Sequence, residues 1–358
     1  MELNDIRPGY FPIDAAPADA TAFFLSDPWL RTVLRTAPDA ASLSLLTDKG
    51  SVRALLGYYR GRRHRLLPVR RWYLNETGDV AFDRITLEYN GFAGLGEDSA
   101  ATRSAFAWLL ANLPAADELV VRNATRATAN ALRLAAAESG WRVRTTNRSP
   151  AAVLDLESLR VAGGDWLAGL GRNTRAAIRR AIRLYEATGP LTVERAATAP
   201  DALAWFERMG ELHMASWQGR AAENAFTNPH FRPFHRALLQ EAVPAGRADM
   251  LRIGAGGREI GYLYNFRAGG WTMAYQAGLT PPPDNRWKPG LVCHAAAIGL
   301  CLERGDRAYD FLAGPARYKT SLANREIPME SLVAFAPKWH LKVENAARRL
   351  KEKYRTLG

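Results

Sequence analysis

Four side chains in this 358-residue sequence have the type and setting for general acid–base chemistry: Asp310, His294, Tyr275 and Tyr264. Asp310 lies in a run, Arg307 to Ala313, that reads as a strand. Its carboxylate either takes a proton from a nucleophile, with a pKa tuned by burial, or hydrogen-bonds the following Gly314–Lys319 loop as a structural group. His294 falls in the first turn of an expected helix, where the dipole depresses an imidazole pKa and favours a neutral acceptor; the alternative is a structural histidine. Cys293 beside it sits where thiolates are favoured, yet has no identified partner base. Metal chemistry lacks a motif. The histidines at 64, 213, 230, 235, 294 and 340 form no HxxxH or HExxH pair, and there is no CxxC. A Walker loop, GxGxxG and GxSxG are also missing from the sequence.

The elements that must position these residues are legible around them. Met250 to Ile253, Glu259 to Arg267 and Trp271 to Leu279 read as three strands, separated by Gly254–Gly257 and Gly269-Gly270. Pro281, Pro282 and Pro283 end the last of them. Lys288-Pro289-Gly290 then opens a helix with apolar Leu291, Ala295, Ile298 and Leu302 at helical spacing, which stops at Gly305. Proline suits a first helical turn, and the amides exposed there make an anion site to which Lys288 adds a charge.

The order of strand GYLYNF, strand WTMAYQAGL, loop WKPG, helix to ERG and then YDFLAGPARYK resembles the C-terminal domain of the CelD/BcsL-type acyltransferases of the GNAT superfamily, fold relatives of the FemXAB peptidyltransferases. The run His213 to Trp217 and the arginine-rich helix Arg172 to Ala187 extend the resemblance over roughly residues 165 to 340. It implies an α/β (α+β) fold of two tandem GNAT-like domains, each a mixed twisted sheet flanked by helices. It also implies an N-acyltransferase that passes an acyl group from a thioester donor to an amine by direct attack in a ternary complex, without a metal. The thioester carbonyl would be polarised by backbone amides of a splayed strand around Gln276, Ala277, Gly278 and Leu279. Lys288, Gly290 and Leu291 would hold donor phosphate, Tyr318 and Lys319 donor phosphate or acceptor carboxylate, and Asp310 would serve as the base. The loop Asn285–Gly290 departs from the usual glycine-spaced pyrophosphate loop by having one glycine. Acetyl-CoA, a longer acyl-CoA, acyl carrier protein and aminoacyl-tRNA therefore all remain open as donors.

The length points to two domains, expected here as 1–160 and 161–358. The first half has its own α/β order: a helix over Thr21–Arg35, strands at Ser42–Thr47, Ser51–Tyr59, Ile85–Tyr89 and Glu118–Arg122, and helices over Ser99–Leu113 and Thr128–Ser139. It is read as a diverged copy, because Glu97 and Asp98 place acid where a pyrophosphate would sit on its Ser99 helix. Two arginine clusters stand out. Arg60, Arg62, Arg63, Arg65, Arg70 and Arg71 fit a charged hairpin edge or an anion site. Arg172, Arg175, Arg179 and Arg183 share one face of the 172–187 helix, fitting a solvated face or a tRNA surface.

Residues 338–357 read as a C-terminal amphipathic helix packed on its own domain. The net charge of +12 suits coenzyme A phosphates, an acidic acyl carrier protein, tRNA or an anionic membrane face, and does not choose among them. The acceptor is expected to be a small-molecule or peptide amine, near Trp217, Phe226, Phe231 and Phe234, which also fit plain packing. Two cysteines on one helix, no leader pattern and no apolar run of membrane length point to the cytoplasm. The rival readings are an aminoacyl-tRNA-dependent peptidyltransferase and a catalytically degenerate binding module.

Overall fold

The computed structural model of the chain describes residues 1–6, 23–63, 67–96, 98–163, 165–217 and 224–338. The helix expected over 338–357 falls outside them. Strands follow as β1 (Glu2–Ile6), β2 (Ser42–Asp48), β3 (Ser51–Arg63), β4 (Leu67–Leu74), β5 (Glu118–Thr125), β6 (Arg142–Arg148), β7 (Ala151–Asp155), β8 (Leu191–Arg195), β9 (Ala248–Ala255), β10 (Arg258–Ala268), β11 (Trp271–Leu279), β12 (Ala308–Ala313), β13 (Arg325–Ile327) and β14 (Met329–Phe335). The helices are α1 (Asp27–Thr36), α2 (Ser99–Asn112), α3 (Arg126–Glu138), α4 (Leu156–Val161), α5 (Arg172–Glu186), α6 (Ala199–Trp217), α7 (Phe231–Ala242), α8 (Pro289–Arg304) and α9 (Arg317–Leu322).

Two compact units result, each a seven-stranded mixed sheet with helices. The first sheet runs β1-β2-β3-β4-β5-β14-β6, the second β13-β7-β12-β11-β10-β9-β8. Both contain the same core device, a parallel pair of strands joined through a helix: β4 and β5 through α2, β11 and β12 through α8. The units do not meet at residue 160. Ala37–Arg148 and β14 belong to the first, while α1 and Ser149–Pro328 belong to the second. Pairing explains the exchange. Buried Leu332 and Ala334 of β14 sit on a strand held between β5 and β6, and buried Ala151 to Leu154 of β7 lie between β12 and β13. Both segments complete a sheet far from them in sequence, which local periodicity does not reveal.

In the first unit, β4 and β5 pair only at Arg71–Glu118, Trp72–Leu119 and Tyr73–Val120. Beyond that point the gap is occupied by the unit's own chain. The segment Ile85–Tyr89, expected as a strand, is irregular, with Asn90 making an isolated bridge to Ala124. Asn75 binds it in place: its Oδ1 accepts from the Leu55 amide (2.9 Å), and its Nδ2 donates to Asn90 Oδ1 (2.9 Å) and the Gly91 carbonyl (2.8 Å). Asn90 donates on to the Leu74 carbonyl, and Asn123 to that of Leu87. Asp98 caps α2, accepting from the amides of Ala100 and Ala101. In the arginine cluster, Arg70 and Arg71 pair with buried Asp117 and Glu118 beside the β3–β4 hairpin. Asn75→Ala would strand several of these buried groups, so we expect it to destabilise the first unit by about 2–4 kcal/mol. The check is the urea midpoint of that unit's transition.

Candidate functional site

β11 and β12 run parallel for three residue pairs, Trp271–Ala308, Thr272–Tyr309 and Met273–Asp310, and then part. Each strand carries an irregularity at the fork. The β10–β11 register shifts by one at Tyr264/Asn265, leaving Tyr275 as the extra residue. The β12–β7 register shifts between Asp310 and Ala313, where Leu312 takes a left-handed φ of 60°. Asp310 braces this second bend. It is fully buried, and its Oδ1 accepts from the Leu312 amide at 2.7 Å.

Past the fork, one edge of β11 has no strand partner among the described residues. The Thr280 amide bonds the Ile260 carbonyl at 3.0 Å, so by antiparallel alternation Gly278 and Gln276 point their backbone groups toward β10 and Ala277 and Leu279 point theirs to the open edge. The Ala277 amide is taken by the Gln276 side chain (3.0 Å), and the Ala277 carbonyl accepts from His213 Nδ1 of α6 at 3.0 Å.

The open edge leads to the start of α8. A Cβ built on Gly290 would lie 3.2 Å from Leu279 Cδ1, so the helix's first turn abuts the end of β11. Pro289 occupies that turn, Gly305 closes the helix in a left-handed conformation, and Lys288 at the N-cap holds φ 43° with no side-chain cap. Lys288 Nζ donates to Asn285 Oδ1 (2.6 Å). The contrast with α2, whose first amides are satisfied by Asp98, is direct: α8 offers its dipole end and amides without a competing carboxylate. α5 stands beside this loop. Tyr185 packs edge-on against Trp287, with ring centroids 4.8 Å apart. Arg286 holds Asp284 below the usual carboxylate range, with Arg180 of α5 adding to the effect. Arg172, Arg179, Arg180 and Arg183 are exposed.

The other expected residues gather on the far wall. His294 is buried, with Nδ1 2.9 Å from the Tyr309 hydroxyl and its ring stacked on Tyr318. Burial, reinforced by the Lys319 charge, pushes its pKa down to about 4. Lys319 donates to the carbonyls of Leu312 (3.3 Å) and Ala313 (2.6 Å), tying the end of β12 to α9. Cys293 is buried, and its thiol pKa is raised well above its ordinary value by desolvation, the reverse of an activated thiolate. Tyr275 lies half-buried among Phe231, His235 and Phe266, and Tyr264 is buried with its hydroxyl 3.3 Å from His235 Nδ1. Phe226 is buried, as are Phe231 and Phe234 of α7. His213 is the residue that sequence reasoning left out of the site, because its partner is a backbone carbonyl 64 positions away. Among the described residues there is no cluster of three metal-ligating side chains, and no helix is long and apolar enough to cross a membrane.

Residues 172–320, from α5 into α9, match the family model described as an acetyltransferase (GNAT) domain. The whole chain is similar in structure to FemX, at 10% identity and a TM-score of 0.57, covering 89% of this chain and 93% of that one. It is also similar to L-PGS from Bacillus licheniformis (13%, TM-score 0.52, 88% and 89%). A conserved protein of unknown function from Bacteroides thetaiotaomicron VPI-5482 is similar too (10%, TM-score 0.52, 89% and 93%). No curated protein matches. Residues 172–320 thus carry a GNAT-type acyltransferase domain, and the forked parallel pair, present once in each unit, gives the chain a tandem GNAT-like fold.

Proposed function

We propose that the chain is an N-acyltransferase that binds a thioester donor in the fork between β11 and β12 and passes the acyl group directly to an amine. The supporting observation is the open edge of β11 running from the fork to the side-chain-uncapped first turn of α8. In this reading Gln276 to Leu279 line the acyl and pantetheine path. Lys288, Gly290 and Leu291 meet the phosphates, and Tyr318 and Lys319 form the opposite wall. Asp310 and His294 act by holding that wall, since the Asp310 carboxylate is engaged by Leu312 and His294 by Tyr309. The fork of the first unit, filled by its own residues, is assigned no donor. Coenzyme A and acyl carrier protein both present the required phosphopantetheine thioester, and the buried free cysteines suit a reducing cytoplasm.

Thermal-shift titration of the full chain with acetyl-CoA, palmitoyl-CoA and acyl carrier protein tests this, because a ligand that binds the folded state raises its stability. Lys288→Glu reverses a charge at the phosphate end and should weaken the responding donor about tenfold or more. An unchanged affinity would remove the α8 terminus from the site.

The exposed arginines of α5 beside the same loop favour a second reading, an aminoacyl-tRNA donor. That reading requires a stability shift with tRNA that disappears as salt is raised.

A further inference from the structure

His213 is half-buried on α6, and its two nitrogens are in different situations. Nδ1 lies 3.0 Å from the Ala277 carbonyl, a group that can only accept, so Nδ1 carries the proton. Nε2 is then the lone-pair nitrogen, and it is buried with no hydrogen-bond partner among the described residues, so an acceptor amine reaches it only by displacing the side chains that cover it. An unsatisfied buried acceptor is costly, and an N–H donor brought by a ligand would offset that cost. The ring packs against Trp217 and Phe226, at centroid distances of 5.9 and 5.3 Å. Its bond to Ala277 sets the Nδ1 side of the ring against the edge of β11 that faces the open fork.

We propose that His213 is the general base of the acyl transfer, with Nε2 receiving the proton of the attacking amine. This rests on the acyl-transfer reading above. The amine nitrogen forms a bond to the thioester carbonyl carbon and gives a proton to Nε2. The carbon–sulfur bond breaks, and the sulfur leaves as a thiolate that takes up the proton from the imidazolium or from solvent. The oxyanion forms along the edge of β11 where the Leu279 amide points. Desolvation, opposed in part by the bond to Ala277, lowers the His213 pKa, so the ring is neutral at physiological pH.

The charged side chains on the surrounding elements are paired with one another. Arg232 of α7 lies over the Phe226 ring and is paired with Glu207 of α6, and Arg208 of α6 is paired with Glu211 and Glu259. Arg236 of α7 also pairs with Glu207, the Tyr262 hydroxyl of β10 donates to Glu259, and His235, Tyr264 and Tyr275 lie in the adjoining aromatic cluster.

The test is His213→Asn, whose side-chain amide can still donate to the Ala277 carbonyl but cannot take a proton. With acetyl-CoA as donor and glycinamide or hydroxylamine as surrogate acceptor, thiol release should fall about 10²–10³-fold, with melting temperature and acetyl-CoA binding retained. The acid limb of the wild-type pH profile, lying below pH 6.5, should vanish in the variant. Imidazole 15N NMR of the resting protein should show Nδ1 protonated and Nε2 bare.

Release within a few-fold of wild type, or a ring protonated on Nε2, overturns the base assignment. So does a wild type that binds acetyl-CoA yet releases no thiol with either amine. A wild type that binds no acyl-CoA at all overturns the donor reading beneath it.

Discussion

Gly278→Ala is expected to destabilise the second unit by about 3 kcal/mol or more, and to end acyl transfer in whatever folded fraction survives. A Cβ on Gly278 would stand 2.2 Å from the Met209 carbonyl oxygen and 2.8 Å from its Cα. These are backbone atoms in the middle of α6, so no rotamer change relieves the overlap. The helix must lift off β11 or the strand must bow. Either movement separates His213 from Ala277, the residue next to the substitution. Thermal melts and urea titration measure the stability loss. Gly299→Ala in α8 is the matched control: its added methyl meets nothing within 4 Å, and an alanine in a helix interior should stabilise by about 0.5–1 kcal/mol. Equal stability of the two variants would mean that α6 does not pack on β11 as described.

Acid should unfold the second unit well before carboxylate protonation alone would account for it. His294 has its pKa lowered from 6.5 to about 4, and burial also lowers those of His213 and His235. A histidine with a depressed native pKa contributes stability that is fully present above its unfolded pKa and lost as pH falls through the native value. The window for His294 therefore runs from pH 6.5 down to about 4, and that residue alone accounts for about 3 kcal/mol across it. The first unit carries a group of opposite sign. Burial raises the pKa of Glu76 despite its bond to Arg122, so its contribution is present at low pH and lost as pH rises. Hydrogen exchange resolved by unit, from pH 7 to pH 4.5, should show the second unit opening first, with the slope reduced in His294→Gln. A second unit whose protection is flat over that range would contradict the buried neutral histidines.

Much of this protein follows from its sequence alone. Lys288-Pro289-Gly290 and Gly305 delimit α8, Gly269-Gly270 makes the β10–β11 turn, Asp98 caps α2, and the arginines of α5 share a solvent face. All of these are set within a few residues, by the φ a proline or glycine allows, by a capping oxygen or by helical spacing, and such terms are written into the local chain. Other features were decided only by the tertiary structure. β7 and β14 each complete a distant sheet, Asn75 fastens a loop into the fork of the first unit, and Asp310 braces a bend in β12. His213 is the extreme case, an ordinary helical histidine until the carbonyl of Ala277 fixes its tautomer and leaves Nε2 without a partner among the described residues. Pairing, register and the satisfaction of buried polar groups depend on atoms brought together by the fold, and no local pattern encodes them.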